Sequence, residues 1–363
     1  MKIVVNIQDS LIDQVREAVE AGAYADSREF LITALENQAK LELGDDTLGI
    51  TTLGQAIKPE AEQSQTDTNP VNRTYSSSGT QNTNTLNQLE YYHVRTVTSP
   101  ESNRLDQGPL WGQYNRIFPV KLLLRVLANI LQYQSSHVNN QGHDLVNEWV
   151  PLDQFSQQAS AIARNYGLKI KQADKQQSRG RGMRLSAALP IGDDPEKSKE
   201  RYRIHFVGGT DQQGHLSGAA PHLLFVNIPT ESPNHIGITD PGLSFAKMWN
   251  PLIDGGASFD QSLSEDEATF YIQHVGDQHP DEYNAMQLVA TAIVDGDNRP
   301  ESLTNRVAVL NGGWSEAQAS TVRSGIVGRM YELGLVQRER VGQRGIAYQL
   351  TKEGHEFQTS HNQ

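Results

Sequence analysis

The chain has no cysteine. That excludes a disulfide framework, a zinc ribbon and a thiol nucleophile. It also has no apolar run near the roughly 20 residues that a membrane-spanning helix needs, and its first residues lack the charged-then-apolar layout of a signal peptide. Positive charge is scarce: the formal net charge is −12 and the pI is near 5.4. A uniformly basic coat for nucleic acid is therefore excluded, whereas local basic patches are not. Catalytic patterns are missing as well. His205, His215, His222, His235, His274 and His279 form neither HExxH nor HxH, "FVGGTDQQGH" is neither a Walker loop nor GxGxxG, and no GxSxG elbow occurs. Asp211 and His215 are of metal-ligating type and would meet if they share a turn, but solvated loop residues are the plainer reading. The expectation is no enzyme, no cofactor, no metal and no membrane contact, in a cytoplasmic chain whose 363 residues have room for two or three domains.

What is present begins with "MKIVVNIQDSLIDQVREAVEAGAYADSREFLITALENQAK". Ile3, Val5 and Ile7 alternate with Lys2, Val4 and Asn6, the period of a half-buried strand. Leu11, Ile12, Val15 and Val19 then recur at helical spacing. After Gly22, Asp26 and Glu29 form a capping box for a second helix lined by Phe30, Leu31, Ala34 and Leu35. One strand and two short helices cannot bury their apolar face alone, so two chains are expected to pair. "KIVVNI", "DSLIDQV", the Gly22–Tyr24 turn and "SREFLITAL" closely resemble the ribbon-helix-helix (CopG/Arc/MetJ-like) DNA-binding domains. The resemblance implies a homodimer through residues 1–43 and places Lys2, Val4 and Asn6 in the major groove. Lys and Asn hydrogen-bond base edges there and Val packs on a thymine methyl. The module departs from the family in its Asp26 and in its charge, with four basic side chains against eight acidic ones up to Glu42.

Residues 44–106 are rich in Ser, Thr, Asn and Gln, with "EAEQSQTDTNPVNRTYSSSGTQNTNTLNQ" offering almost nothing to bury. A disordered linker is expected, with a span on the order of 40 Å.

The remainder contains a repeat. "IGITDPGLSF" and "AYQLTKEGHEF" share an aliphatic residue, Thr, Gly and Phe at the same spacing: Ile238, Thr239, Gly242, Phe245 and Leu350, Thr351, Gly354, Phe357. Each predicts a strand that ends at a Thr N-cap. Upstream, "NYGLKIKQ" with Gly167–Leu168 matches "ELGLVQRE" with Gly334–Leu335, each predicted to follow a helix and enter a strand. Helix, Gly-Leu, strand, basic turn, strand and Leu-Thr-x-x-Gly resembles the winged helix-turn-helix domains of MarR- and PadR-like regulators. Two such domains are implied, at 107–262 and 263–363.

In the second, helices are predicted near Asp281–Val294 and Glu301–Leu310, and a third, capped by Ser315 and Gln318, runs to about Leu333. Val322, Ile326, Met330 and Leu333 form its buried stripe, and Ser320, Thr321, Arg323, Ser324 and Arg329 its exposed face. The resemblance makes this the recognition helix and Arg338, Arg340 and Arg344 the wing. In the first, a hydrophobic helix begins at Pro119 and a helix marked by Leu152, Phe155, Ala159, Ile162 and Tyr166 takes the recognition position. About 55 residues are inserted in or after its wing. The insertion opens with the strongest basic concentration in the chain: Arg164, Lys169, Lys171, Lys175, Arg179, Arg181 and Arg184 against Asp174 alone. A Gly-spaced Arg loop suits phosphate tracking. "HLLFVNIP" is expected to be a buried strand.

The sequence thus points to a multi-domain α+β chain: a dimeric ribbon-helix-helix, a disordered linker and a tandem winged-helix body. The implied function is sequence-specific binding of double-stranded DNA by a homodimeric, nucleoid-associated transcriptional regulator. The alternatives are a plasmid-type replication initiator or partition protein, and an antitoxin-like or structural module that binds proteins and no DNA. Residues 1–43 alone are expected to form a stable dimer, because nothing within one chain covers the strand's apolar face. Equilibrium sedimentation of that fragment tests this, and a folded monomer at micromolar concentration would refute it.

Overall fold

The structure is a computed structural model that describes residues 94–139, 148–180, 182–255, 260–342 and 345–360. The ribbon-helix-helix segment 1–43, linker residues 44–93, Arg181 and Arg344 lie outside the described residues. The described residues form a mixed α+β unit of helices with small antiparallel sheets. In chain order the elements are α1 (Phe118–Asn139), β1 (Val150–Pro151), α2 (Leu152–Gln176), α3 (Pro195–Tyr202), β2 (Gly209–Thr210), β3 (Leu216–Ser217), α4 (Ala219–His222), β4 (Val226–Asn227), β5 (His235–Ile238) and α5 (Asp240–Lys247). They continue with α6 (Glu265–Gln278), α7 (Pro280–Val294), α8 (Pro300–Ala308), α9 (Glu316–Glu332), β6 (Val336–Val341), β7 (Gly345–Leu350) and α10 (Lys352–Ser360). Among the described residues no helix is long and apolar enough to cross a membrane.

The Thr-x-x-Gly halves of the repeat superpose bond for bond. Thr239 Oγ1 accepts from the Gly242 amide at 3.3 Å and donates to the Leu224 carbonyl at 2.6 Å. Thr351 Oγ1 accepts from Gly354 at 3.0 Å and donates to Gly334 at 2.6 Å. The Thr amides reach the Phe225 and Leu335 carbonyls, both at 3.1 Å. Gly is required at both caps, because a methyl group at Gly242 would strike the Phe225 carbonyl and one at Gly354 the Leu335 carbonyl. The strands pair in the same register, Val226 with Ile238 and Val336 with Leu350.

These bonds correct the upstream alignment. The partner of Gly334 is Leu224, not Gly167. Leu224 and Gly334 both stop a helix in the left-handed region, at φ 56° and 74°. In both, the next amide reaches five residues back, Phe225 to Ala220 at 3.1 Å and Leu335 to Met330 at 2.9 Å, a Schellman closure. Gly167 instead lies inside α2, which continues unbroken to Gln176, so no strand follows it. Its missing side chain makes room for Leu189 and Ile191, which a methyl group would approach to 2.9 and 2.5 Å. The counterpart of α9 in the first repeat is therefore the four-residue α4, and α2 stands two helices earlier, with α3 between them. The inserted segment, between Gln176 and Ala219, precedes the β4–β5 pair rather than lying within or after it.

The correspondence extends further. Val150 pairs with Ile236 as Asn298 accepts from the Tyr348 amide at 2.8 Å. α1 packs on α5 as α7 packs on α10. The predicted helices of the second repeat appear as α7, α8 and α9, with the Ser315–Gln318 capping box in place. "HLLFVNIP" contains the buried strand β4.

Part of the expected linker is ordered. The Val97 amide donates to Ile238 at 2.8 Å, Thr96 Oγ1 donates to Asp240 at 2.6 Å, and Asn227 reaches the Thr98 carbonyl at 2.9 Å. Val97 fills the space over Gly237, where a methyl group would come within 2.6 Å of it. Residues 94–106 are thus held by backbone bonds, the Thr96 and Arg104 side chains and one valine, which composition does not reveal.

Gly242→Ala and Gly354→Ala are each expected to destabilise the fold by about 1–3 kcal/mol, since each cap must open to admit a methyl group. Urea melts of the two variants measure this; an unchanged midpoint for either would mean that its cap yields freely.

Candidate nucleic-acid interface

The corresponding helices of the two repeats, α4 and α9, differ in what they expose. In the first repeat Ala219, Ala220, Pro221 and His222 of α4 are all buried. The Tyr114 ring lies 5.7 Å from that of His222, and the Tyr114 hydroxyl accepts from the Gly218 amide at 3.1 Å. No face of α4 is open to a groove. In the second repeat α9 keeps Ser324 exposed and Ser320 and Arg323 partly so. Arg323 donates to Thr304 at 3.3 Å and to Ser320 at 3.2 Å, which orients its guanidinium along the helix surface.

The other edge of α9 is covered by residues 110–117. A methyl group at Gly325 would sit 2.6 Å from Gly112 Cα, and one at Gly328 2.7 Å from the Asn115 carbonyl oxygen. Gly112 itself rests on the Thr321 carbonyl. Thr321 is thus on the covered edge and not in the middle of an exposed face. Arg329, expected on the exposed face, is 1% exposed. It forms a bidentate pair with Glu282 at 2.7 and 2.9 Å and donates to the Tyr114 carbonyl at 2.7 Å. A buried cation is tolerated only when so paired.

The basic concentrations are sorted in the same way. Arg164 donates to the Pro190 and Gly192 carbonyls at 2.8 and 2.9 Å. Arg179 pairs with the buried Asp174 at 3.1 Å and approaches Asp260 at 3.7 Å. Asp174 also accepts from the Leu185 and Ser186 amides and the Ser186 hydroxyl, at 3.1, 3.0 and 2.6 Å. It looked like one unfavourable charge in a basic run, yet it folds that run into a fixed turn. On α2, Lys171 and Lys175 fall on one face, one turn apart, and Lys169 on another, over the Tyr166 ring at 5.9 Å. Lys169, Lys175 and Arg184 are exposed, Lys171 partly so.

The turn then meets the second repeat's hairpin. Gly182 lies directly against the Arg338 guanidinium, and its carbonyl accepts from Arg116 at 3.2 Å. The Arg338 guanidinium also covers the Tyr348 ring, 5.7 Å from its centre. Arg340 follows two residues on, on the same face of β6 and exposed. A cavity of about 830 Å³ is lined by Glu332, Glu353 and Glu356, by Leu185 next to Arg184, and by no Lys or Arg.

Asp211 and His215 do share a turn, with Nδ1 3.1 Å from the carboxylate. Among the described residues no group of three or more metal-ligating side chains converges. Comparison with known protein families, characterised proteins and solved structures returns no match.

Around α4, burial holds three histidines below their ordinary pKa of 6.5: His222, His274 and His279, the last at about 4. His274 Nε2 lies 2.7 Å from the Leu223 carbonyl and His222 Nε2 3.1 Å from that of Leu216, so each is a neutral donor. A histidine with a lowered folded pKa leaves the unfolded chain with more bound protons between the two pKa values. Stability is therefore full above about pH 6.5 and falls as pH drops below it, for His279 by up to about 1.4 kcal/mol per pH unit down to about pH 4. Denaturant melts at pH 7.5 and pH 5 are expected to show this loss and His279→Phe to reduce it. Equal stability at both pH values would refute the neutral assignment.

Proposed function

We propose that the chain is a sequence-specific DNA-binding protein, a homodimeric transcriptional regulator whose second repeat is a winged helix-turn-helix. The observation that carries this reading is the order α7, α8, α9 and hairpin, with the exposed strip of α9 and Arg338 and Arg340 of the hairpin on its cationic side. α9 enters the major groove. Ser320 and Ser324 meet either base type there, and Arg323 reads guanine. The hairpin is the wing, and its cations follow the phosphate backbone. Residues 1–43 pair two chains as a ribbon-helix-helix and add Lys2, Val4 and Asn6 as base contacts. The first repeat has the same winged pattern but, with α4 enclosed, serves as a platform rather than a reader.

A replication initiator or partition protein would use the same surface and differ in its genomic sites, arrays of direct repeats rather than one promoter-proximal palindrome. Arg323→Ala is expected to reduce the preference for a specific site over random DNA by about 1–3 kcal/mol, and Lys2→Ala with Asn6→Ala to do the same independently. Competition binding on both DNAs measures it. An unchanged preference for Arg323→Ala would remove α9 from the groove. Absence of DNA binding by the body would favour the protein-interaction alternative.

A further inference from the structure

We propose that the turn carrying Gly182 and Arg184, from the first repeat's insertion, and the β6–β7 hairpin of the second repeat form one composite site for the DNA backbone. Arg338 is its anchor. The inference rests on the DNA-binding reading and adds which parts of the chain build the phosphate contact together.

Two guanidinium groups meet around one peptide. Arg116, 9% exposed, donates to the Gly182 and Asn115 carbonyls at 3.2 and 2.7 Å. Arg338 lies on Gly182 from the hairpin side and on the Tyr348 ring. Arg338 raises the cost of the Arg116 charge: burial lowers the Arg116 pKa first, Glu332 opposes this, and Arg338 lowers it further. Neither forms an ion pair among the described residues, and Arg338 Nε is buried with no acceptor. Arg338 is held by stacking and close packing, and the carboxylate that offsets the Arg116 charge is Glu332. A backbone phosphate supplies the direct partner that Arg338 lacks among the described residues.

Gly182 sets the geometry. A methyl group there would occupy the space of the Arg338 guanidinium, so the guanidinium would have to leave its present place on the turn. The Asp174 hydrogen bonds fix the turn independently of DNA, and exposed Arg184 and Lys175 extend the cationic edge beyond the contact. The site is therefore preorganised, and ordering it on binding costs little.

The test uses the full chain and a duplex carrying its preferred site, titrated over a series of salt concentrations. The variants are Arg184→Ala, Arg338→Ala, the double variant and Gly182→Ala. Each single Arg change is expected to lower the slope of log K against log salt by about 0.9. The double variant is expected to lose less than the two single losses combined, because both groups serve one site. Gly182→Ala removes no charge yet is expected to weaken binding about tenfold by displacing Arg338. Additive Arg losses together with a silent Gly182→Ala overturn the composite site while leaving DNA binding intact. If Gly182→Ala fails to fold, additivity in the Arg cycle alone decides against it. Failure of the unaltered chain to bind any duplex overturns the DNA reading itself.

Discussion

Arg329 and Glu282 are each 1% exposed, and charges so placed survive only when every donor and acceptor is used. Here they are. The pair is bidentate, the second arm of the guanidinium holds the Tyr114 carbonyl, and Glu282 also accepts from the Leu110 amide at 2.9 Å. The segment before α1 is thereby fastened to α7 and α9 by its backbone. Glu332, three residues along α9, then accepts from the Ile117 and Phe118 amides and so caps the first turn of α1. Removing either partner of the buried pair would leave an uncompensated charge, at about 3–5 kcal/mol. The helix that carries the exposed strip is also the point to which the first repeat is attached.

That double duty explains the unusual make-up of α9. Val322, Ile326 and Met330 face the second repeat's core, and Gly325 and Gly328 face residues 112–115. Glycine inside a helix costs about 1 kcal/mol relative to alanine. The cost is offset by backbone-to-backbone contact that no larger residue permits. From α1, Lys121 pairs across the two repeats with Glu267 at 2.7 Å, and Arg125 pairs within the first repeat with Asp254 at 2.7 Å. Polar groups with fixed directions thus join the shared apolar core in setting how the two repeats register.

Legibility in the sequence followed the locality of the cause. The Thr-x-x-Gly caps, the Ser315 capping box and the stripe of α9 depend on residues within one or two turns, and each stands where periodicity put it. The first repeat was misaligned because its helix stop is Leu224, a residue with no preference for positive φ, while Gly167 offered a false stop. Arg329 was assigned to solvent because its periodic position is compatible with exposure; its burial comes from Glu282, far away in sequence. Asp174 was counted as a charge, since nothing local announces that a carboxylate will gather two amides and a hydroxyl. The ordered part of the linker, 94–106, failed for the same reason: its bonds go to β4, β5 and the residues just after them.

The net charge of −12 and a DNA-binding reading are compatible once charge is followed by position rather than summed. Glu332, Glu353 and Glu356 line a cavity free of Lys and Arg, while Arg338 and Arg340 of the hairpin and Arg184 of the inserted turn gather near the contact between the two. If the chain binds DNA as proposed, a phosphate that reaches these arginines meets cations within about one Debye length of 8–10 Å. On the proposed reading the same logic relaxes the demand on residues 1–43, whose own charge is negative. A tethered module needs only modest affinity when the body already holds the DNA, since the second contact is made at the effective concentration set by the tether.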